Sequence, residues 1–94
     1  MNAKAITEAR HAELVRAFLM DLEHEYSRAH RIAFQAHWGI DALPRTPEQV
    51  ARELDLTAGE VAWMIDQGLV YARKWFGADG VARAMGAREL KEAA

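Results

Sequence analysis

Residues 46–75 run TPEQVARELDLTAGEVAWMIDQGLVYARKW, and the punctuation of this stretch decides the fold. Thr46-Pro47-Glu48-Gln49 is a helix start. Threonine suits the N-cap, proline the first helical position, and glutamine the third, where its side chain reaches back to complete a capping box. Eleven residues later the signal repeats, with Thr57 as cap and Glu60 as its reciprocal partner. The spacing predicts a helix of about two turns ending near Leu54, a short turn, and a longer helix reaching Trp75 or Phe76 and stopping at Gly77.

The apolar positions fit two helices that cross closely and share a core with a third. Val50 and Leu54 face inward from the first, and Ala51 is small enough to admit the second. Leu56 plugs the turn. Val61, Met64 or Ile65, Leu69 and Ala72 form the inner stripe of the second. This is the pattern of a helix-turn-helix over residues 46–76. Its one departure is Asp55, where such turns commonly use glycine, although aspartate tolerates a left-handed backbone better than most residues.

Working outward, residues 7–37 contain neither glycine nor proline. Leu14/Val15, Phe18, Leu22, Tyr26, Ala29, Ala33 and Ala36 recur every three or four positions along one helical face. Thr7 is a candidate cap. One long helix, or two meeting near Ser27, both fit, and the narrowing to alanine predicts close approach of another helix. Gly39 ends the segment, and 39–45 with Pro44 is a loop. Gly68, inside the second helix of the motif, is expected where the N-terminal helix crosses, with a kink as the alternative. After Gly77-Ala78-Asp79-Gly80, residues 81–92 form a marginal helix around Val81, Met85 and Leu90, or else 81–94 are a mobile tail. The expected fold is therefore all-α: a small helical bundle, one domain over residues 1–94, with no strands.

Composition limits the function classes. The chain has 94 residues, no cysteine, and twelve basic against fourteen acidic residues, a formal charge of −2. Thiolate metal sites and disulfide scaffolds are excluded. No stretch approaches the ~20 apolar residues of a membrane helix. With no signal-peptide pattern at the N-terminus, a cytoplasmic location is expected. The positive excess usual in nucleic-acid binders is absent, and residues 46–94 hold six basic against eight acidic side chains.

The stretch 46–75 resembles region four of bacterial sigma-70-family factors, the domain that binds the promoter −35 element and contacts the RNA polymerase flap. The shared features are the threonine-started first helix, Val50-Ala51, Glu53-Leu54, Leu56-Thr57, Val61, Leu69 and the closing Arg73-Lys74. It is also similar to the helix-turn-helix of small plasmid and phage repressors. The resemblance implies a module of bacterial or phage transcription control whose second helix faces DNA or a partner. The outward residues there are Thr57, Ala58, Gly59, Ala62, Trp63 and Asp66. Candidate phosphate contacts flank them: Arg28, Arg31, Arg45, Arg52, Arg73 and Lys74.

Here the sequence departs from the resembled domains, which place arginines or glutamines on this helix to read base edges. Arginine and lysine are missing from Glu53 through Tyr71. Three readings therefore stay open. The face contacts DNA, with the helix N-terminus and flanking arginines on phosphates. Alternatively it docks on RNA polymerase, a sigma factor or a host defence complex, with Trp63 as anchor. In the third reading the chain is a structural homo-oligomer, a homodimer being its simplest form. A further alternative makes Trp63 core, folded onto the N-terminal helix; Trp38, Trp75 and Phe76 close the core or form a homodimer contact.

No other constellation points to chemistry. His11, His24, His30 and His37 lack the three- or four-residue spacing of helix metal ligands. Asp21, Glu23 and Glu25 alternate around a helix and make a solvated face rather than a carboxylate dyad. Ser27, the only serine, has no nucleophile context. Neither an enzyme nor a cofactor is expected.

Overall fold

Ser27 divides the long N-terminal apolar stripe into two helices. Its backbone is extended (φ −164°, ψ 166°), and its hydroxyl accepts the His30 backbone N–H at 3.1 Å, so a new helix starts where the old one ends. The computed structural model describes residues 3–81 and Ala84, with side chains from Arg10 onward. Four helices and no strands appear among the described residues: α1 (Ala3–Glu25), α2 (Arg28–Trp38), α3 (Pro47–Leu54) and α4 (Ala58–Val81). Of the two N-terminal arrangements that the periodicity allowed, the chain adopts the pair. Thr7 lies inside α1 rather than at its cap, because Ala3, Lys4 and Ala5 are strong helix formers that extend the helix upstream.

α2 ends at Gly39 in the left-handed conformation (φ 65°, ψ 37°). A Cβ there would lie 2.8 Å from the Pro44 ring, so the loop that returns to α3 can fold this tightly only over glycine. The Arg45 N–H donates to the Ala36 carbonyl at 2.9 Å and the Gln35 amide to the Ile40 carbonyl at 3.1 Å. These bonds tie the loop to the end of α2, and Ile40 is buried beneath it.

Two apolar clusters form the core, and α2 stands between them. One face of α2 contributes Phe34 to a cluster with Val15, Phe18, Leu19 and Leu22 of α1, Ile40, Ala72 and Val81 of α4, and Ala84. The other contributes Ala33 and Ala36 to a cluster with Val50 and Ala51 of α3 and Val61 and Ile65 of α4. Leu54, Leu56 and Met64 cover the second cluster, and Leu69 and Phe76 the first. The inner stripe expected from the sequence is the one that packs.

α4 crosses α2 at Gly68, and this glycine has a steric reason. A Cβ on Gly68 would stand 2.5 Å from Cδ2 of Phe34, whose ring is fully buried. Farther along, Gly77 has a non-helical backbone (φ 75°, ψ 162°), so the regular helix ends at Phe76 and, after this kink, a short helical stretch over 78–81 takes the place of the break expected at 77–80. Met85 and Leu90 lie outside the described residues. Val81 and Ala84 are buried against the first cluster.

Helix propensity alone says that Gly68→Ala should stabilise α4 by about 1 kcal/mol. The contact with Phe34 reverses that sign, since the ring has no space into which to withdraw. We expect Gly68→Ala to lower unfolding stability by roughly 1–3 kcal/mol in urea titration; a stabilised variant would mean the crossing is looser than described.

Candidate functional site

The start of α4 is assembled by local codes. Asp55 takes the left-handed conformation (φ 57°, ψ 48°), and its N–H returns to the Ala51 carbonyl, as does that of Leu56 at 2.9 Å. The chain then turns through Thr57. The Thr57 hydroxyl accepts the Glu60 N–H at 3.0 Å, and the Glu60 carboxylate accepts the Thr57 N–H at 3.1 Å. Thr46 and Gln49 form the same reciprocal pair at α3. Two threonine-capped helices joined by three residues therefore follow one another, with Val50, Ala51, Leu56 and Val61 at their junction.

With Val61, Ile65, Gly68 and Ala72 turned inward, the opposite side of α4 is open. Thr57, Gly59, Ala62, Trp63 and Asp66 are exposed and Ala58 is half-buried. Trp63 retains 57% of its surface and Val70 retains 49%. Trp63 is therefore not core. Its indole meets the His30 ring of α2 in a T-shaped contact (centroids 5.8 Å apart), and more than half of its surface stays free.

His30 is the buried polar residue at this border. Its Nε2 lies 2.6 Å from Oε1 of Gln67 on α4, and its Nδ1 lies 2.6 Å from the Ser27 hydroxyl. Because the Gln67 oxygen only accepts, Nε2 carries the proton in the neutral ring and Nδ1 accepts from Ser27. Tyr26 stacks on the same imidazole at 5.1 Å and meets Tyr71 at 5.5 Å. The histidine thus links the α1–α2 corner to α4 and orients the indole beside it. No three His, Asp or Glu residues among the described ones gather as a metal site.

A second polar contact lies farther along α4. Asp21 of α1 accepts the Tyr71 hydroxyl and, at 2.8 Å, the Trp75 indole N–H. Sequence reasoning placed Asp21 on a solvated acidic face with Glu23 and Glu25, because it compared these residues only with neighbours on their own helix. The available signal was on α4, where Gln67, Tyr71 and Trp75 recur every four residues and so line one flank. Trp75, at 37% exposed, lies over the buried Phe18 ring (centroids 6.0 Å apart) while its N–H donates to Asp21. Trp38 and Phe76 pack on the first cluster.

The six candidate phosphate contacts are dispersed. Arg31 bonds Glu23 at 3.3 Å and Gln35 at 2.9 Å, and Arg45 pairs with Glu53. Arg28, Arg52, Arg73 and Lys74 are exposed and form no ion pair among the described residues. Arg73 and Lys74 lie about 22 Å along the axis from the first residue of α4, at 1.5 Å per residue. The helix N-terminus itself carries only the Glu60 carboxylate, which already occupies the Thr57 N–H.

Comparison with protein-family models, with curated proteins and with solved structures gives no match, so function has to be argued from these residues. Among the described residues no helix is long and apolar enough to cross a membrane.

The Asp21 clamp has a pH signature. The hydrogen bonds from Tyr71 and then Trp75 hold the Asp21 carboxyl below its ordinary value, and the bond to Asp21 pushes the Tyr71 hydroxyl up. A lowered carboxyl stabilises the fold above its unfolded value of about 3.9, and this contribution fades as pH falls through the lower folded value. A raised phenol contributes below about 10 and fades as pH rises through the folded value. Tyr71→Phe should therefore move the Asp21 carboxyl toward its ordinary value in an NMR titration and lower stability most between the two limits. An unmoved Asp21 resonance would show that the bond does not form.

Proposed function

We propose that this chain is a helix-turn-helix module of bacterial or phage transcription control that acts by protein contact, through the α4 face around Trp63. The observation that carries this reading is Trp63 itself. It is a large indole, more than half exposed, held in orientation by the His30 ring and surrounded by Gly59, Ala62, Asp66 and Val70 without any cation. A tryptophan fixed in place and flanked by small residues suits a protein hot spot, where aromatic anchors dominate binding energy.

The electrostatics support the same reading over base readout. A recognition helix presents donors to base edges and its N-terminal amides to phosphate. Here the first turn of α4 presents the Glu60 carboxylate, Asp66 follows on the outer face, and two of the six flanking cations are tied to Glu23 and Glu53. A polyanion brought to this surface meets carboxylates first. The other four of these cations, unpaired among the described residues, are spread over the start of α2, α3 and the far end of α4, away from the first turns of α4. The partner class consistent with the resemblance is a protein of the transcription machinery, such as RNA polymerase or a sigma factor.

Two measurements test this. In a gel shift with random duplex at low salt, where the phosphate contribution is largest and independent of sequence, we expect no shift at micromolar protein; a salt-sensitive shift would transfer the proposal to DNA. In a pull-down from the native host read by mass spectrometry, the wild type should recover transcription proteins. Trp63→Ala should remove them with helical circular dichroism unchanged, since losing such an anchor costs about 2 kcal/mol, roughly thirtyfold in affinity. Recovery that is indifferent to Trp63 would overturn the assignment of this face.

A further inference from the structure

The exposed side of α4 has an order that the fold itself does not use. Gly59, Trp63, Asp66, Val70, Arg73 and Gly77 follow one another at intervals of four, three, four, three and four residues. This is the spacing of the contact stripe of a helix that pairs with another helix. All six are exposed. Neither Asp66 nor Arg73 takes part in an ion pair among the described residues. The two glycines at the ends also meet no partner residue of another helix among the described residues. A Cβ at Gly77 would meet nothing within 4 Å, and one at Gly59 would meet only its own neighbour Thr57, at 3.9 Å. Gly68, by contrast, is explained by Phe34, and Gly77 also by its left-handed backbone (φ 75°).

The stripe maps onto itself when reversed. Turning a second copy end over end about the point midway between Asp66 and Val70 sets Trp63 level with Arg73, Asp66 level with Val70, and Gly59 level with Gly77. The acidic half of one helix then faces the basic half of the other. Arg73 of the second copy reaches both the face of Trp63, as a cation–π contact, and the Asp66 carboxylate, one turn away along the axis. The terminal glycines leave room for the two indoles. A twofold axis produces each contact twice, as an isologous interface requires.

We infer that the partner of this face is a second copy of the chain, docked antiparallel along α4 through Trp63, Asp66, Val70 and Arg73. The inference rests on the reading of the Trp63 face as a protein-contact surface, and it names the occupant. From Gly59 to Arg73, within the regular helix, the stripe is about 21 Å long at 1.5 Å per residue. A single helix pair of that length lies at the small end of interface sizes, so the dimer is weak, with a dissociation constant on the order of 10 µM. Because it covers Trp63, self-association and the binding of another protein through Trp63 are mutually exclusive.

Sedimentation equilibrium of the full chain from micromolar concentration to about 500 µM, well above that dissociation constant, tests the inference. The wild type should pass from monomer to dimer across this range. Trp63→Ala and Asp66→Arg should each weaken the dimer at least tenfold with unchanged helical circular dichroism. The double exchange Asp66→Arg with Arg73→Asp should restore it, because both ends of the stripe invert together; a variant that merely damaged the fold would not be rescued. A wild type that stays monomeric throughout overturns the inference, as does a dimer that ignores both single substitutions. If the chain is monomeric yet Trp63→Ala still removes its transcription partners from the pull-down, self-association falls and the protein-contact reading stands. If Trp63 matters in neither experiment, both fall.

Discussion

The ring of Phe34 lying on Gly68 is the constraint from which the rest of the structure follows. Two helices can cross this closely only if one of them has no side chain at the crossing point. Phe34 is fully buried and a Cβ on Gly68 would overlap its ring, so this contact fixes the depth and the rotation of α4 against α2. With that rotation set, Val61, Ile65 and Ala72 must point into the core. α2 becomes the central element, filling one apolar cluster with Phe34 and another with Ala33 and Ala36. α1 and α3 attach to its two sides and do not need each other.

The same rotation sorts the remaining sides of α4. One flank carries Gln67, Tyr71 and Trp75 toward the α1–α2 corner, where His30 and Asp21 receive them. These are directional contacts, and they prevent α4 from rolling about its axis as apolar packing alone would allow. The side farthest from the core is left to Gly59, Trp63, Asp66, Val70 and Arg73. Trp63 stands on the border between flank and open face, which is why it meets the His30 ring and yet stays more than half exposed. The fold thus supports this indole from behind without covering it.

Charge placement separates the two ends of α4. At the N-terminus a carboxylate fulfils the capping role that, in an anion-binding helix, is left open for a phosphate. At the other end Arg73 and Lys74 lie on the last regular turns before Gly77, where cations interact favourably with the helix dipole. A helix polarised in this way is poorly suited to lie in a groove lined with phosphates. It is well suited to meet a surface of the opposite polarity, and its own reversed copy is one such surface.

What the sequence determined by itself was most of what is encoded within one turn of helix, Thr7, read as a cap but lying inside α1, being an exception. The reciprocal caps of Thr46 with Gln49 and Thr57 with Glu60, the stop at Gly39, the turn at Asp55 and the inner stripe of α4 all depend on neighbours three or four residues away, and all were legible. The division at Ser27 was legible only as one of two options, because an uninterrupted apolar stripe does not distinguish a straight rod from a corner. Tertiary structure alone decided the partners of Asp21, His30, Arg31 and Arg45. Asp21 meets Trp75 across 54 positions and His30 meets Gln67 across 37, and such contacts depend on how far each helix is rotated about its axis. That rotation is set by the closest crossing between helices, and no run of residues within a single helix encodes it.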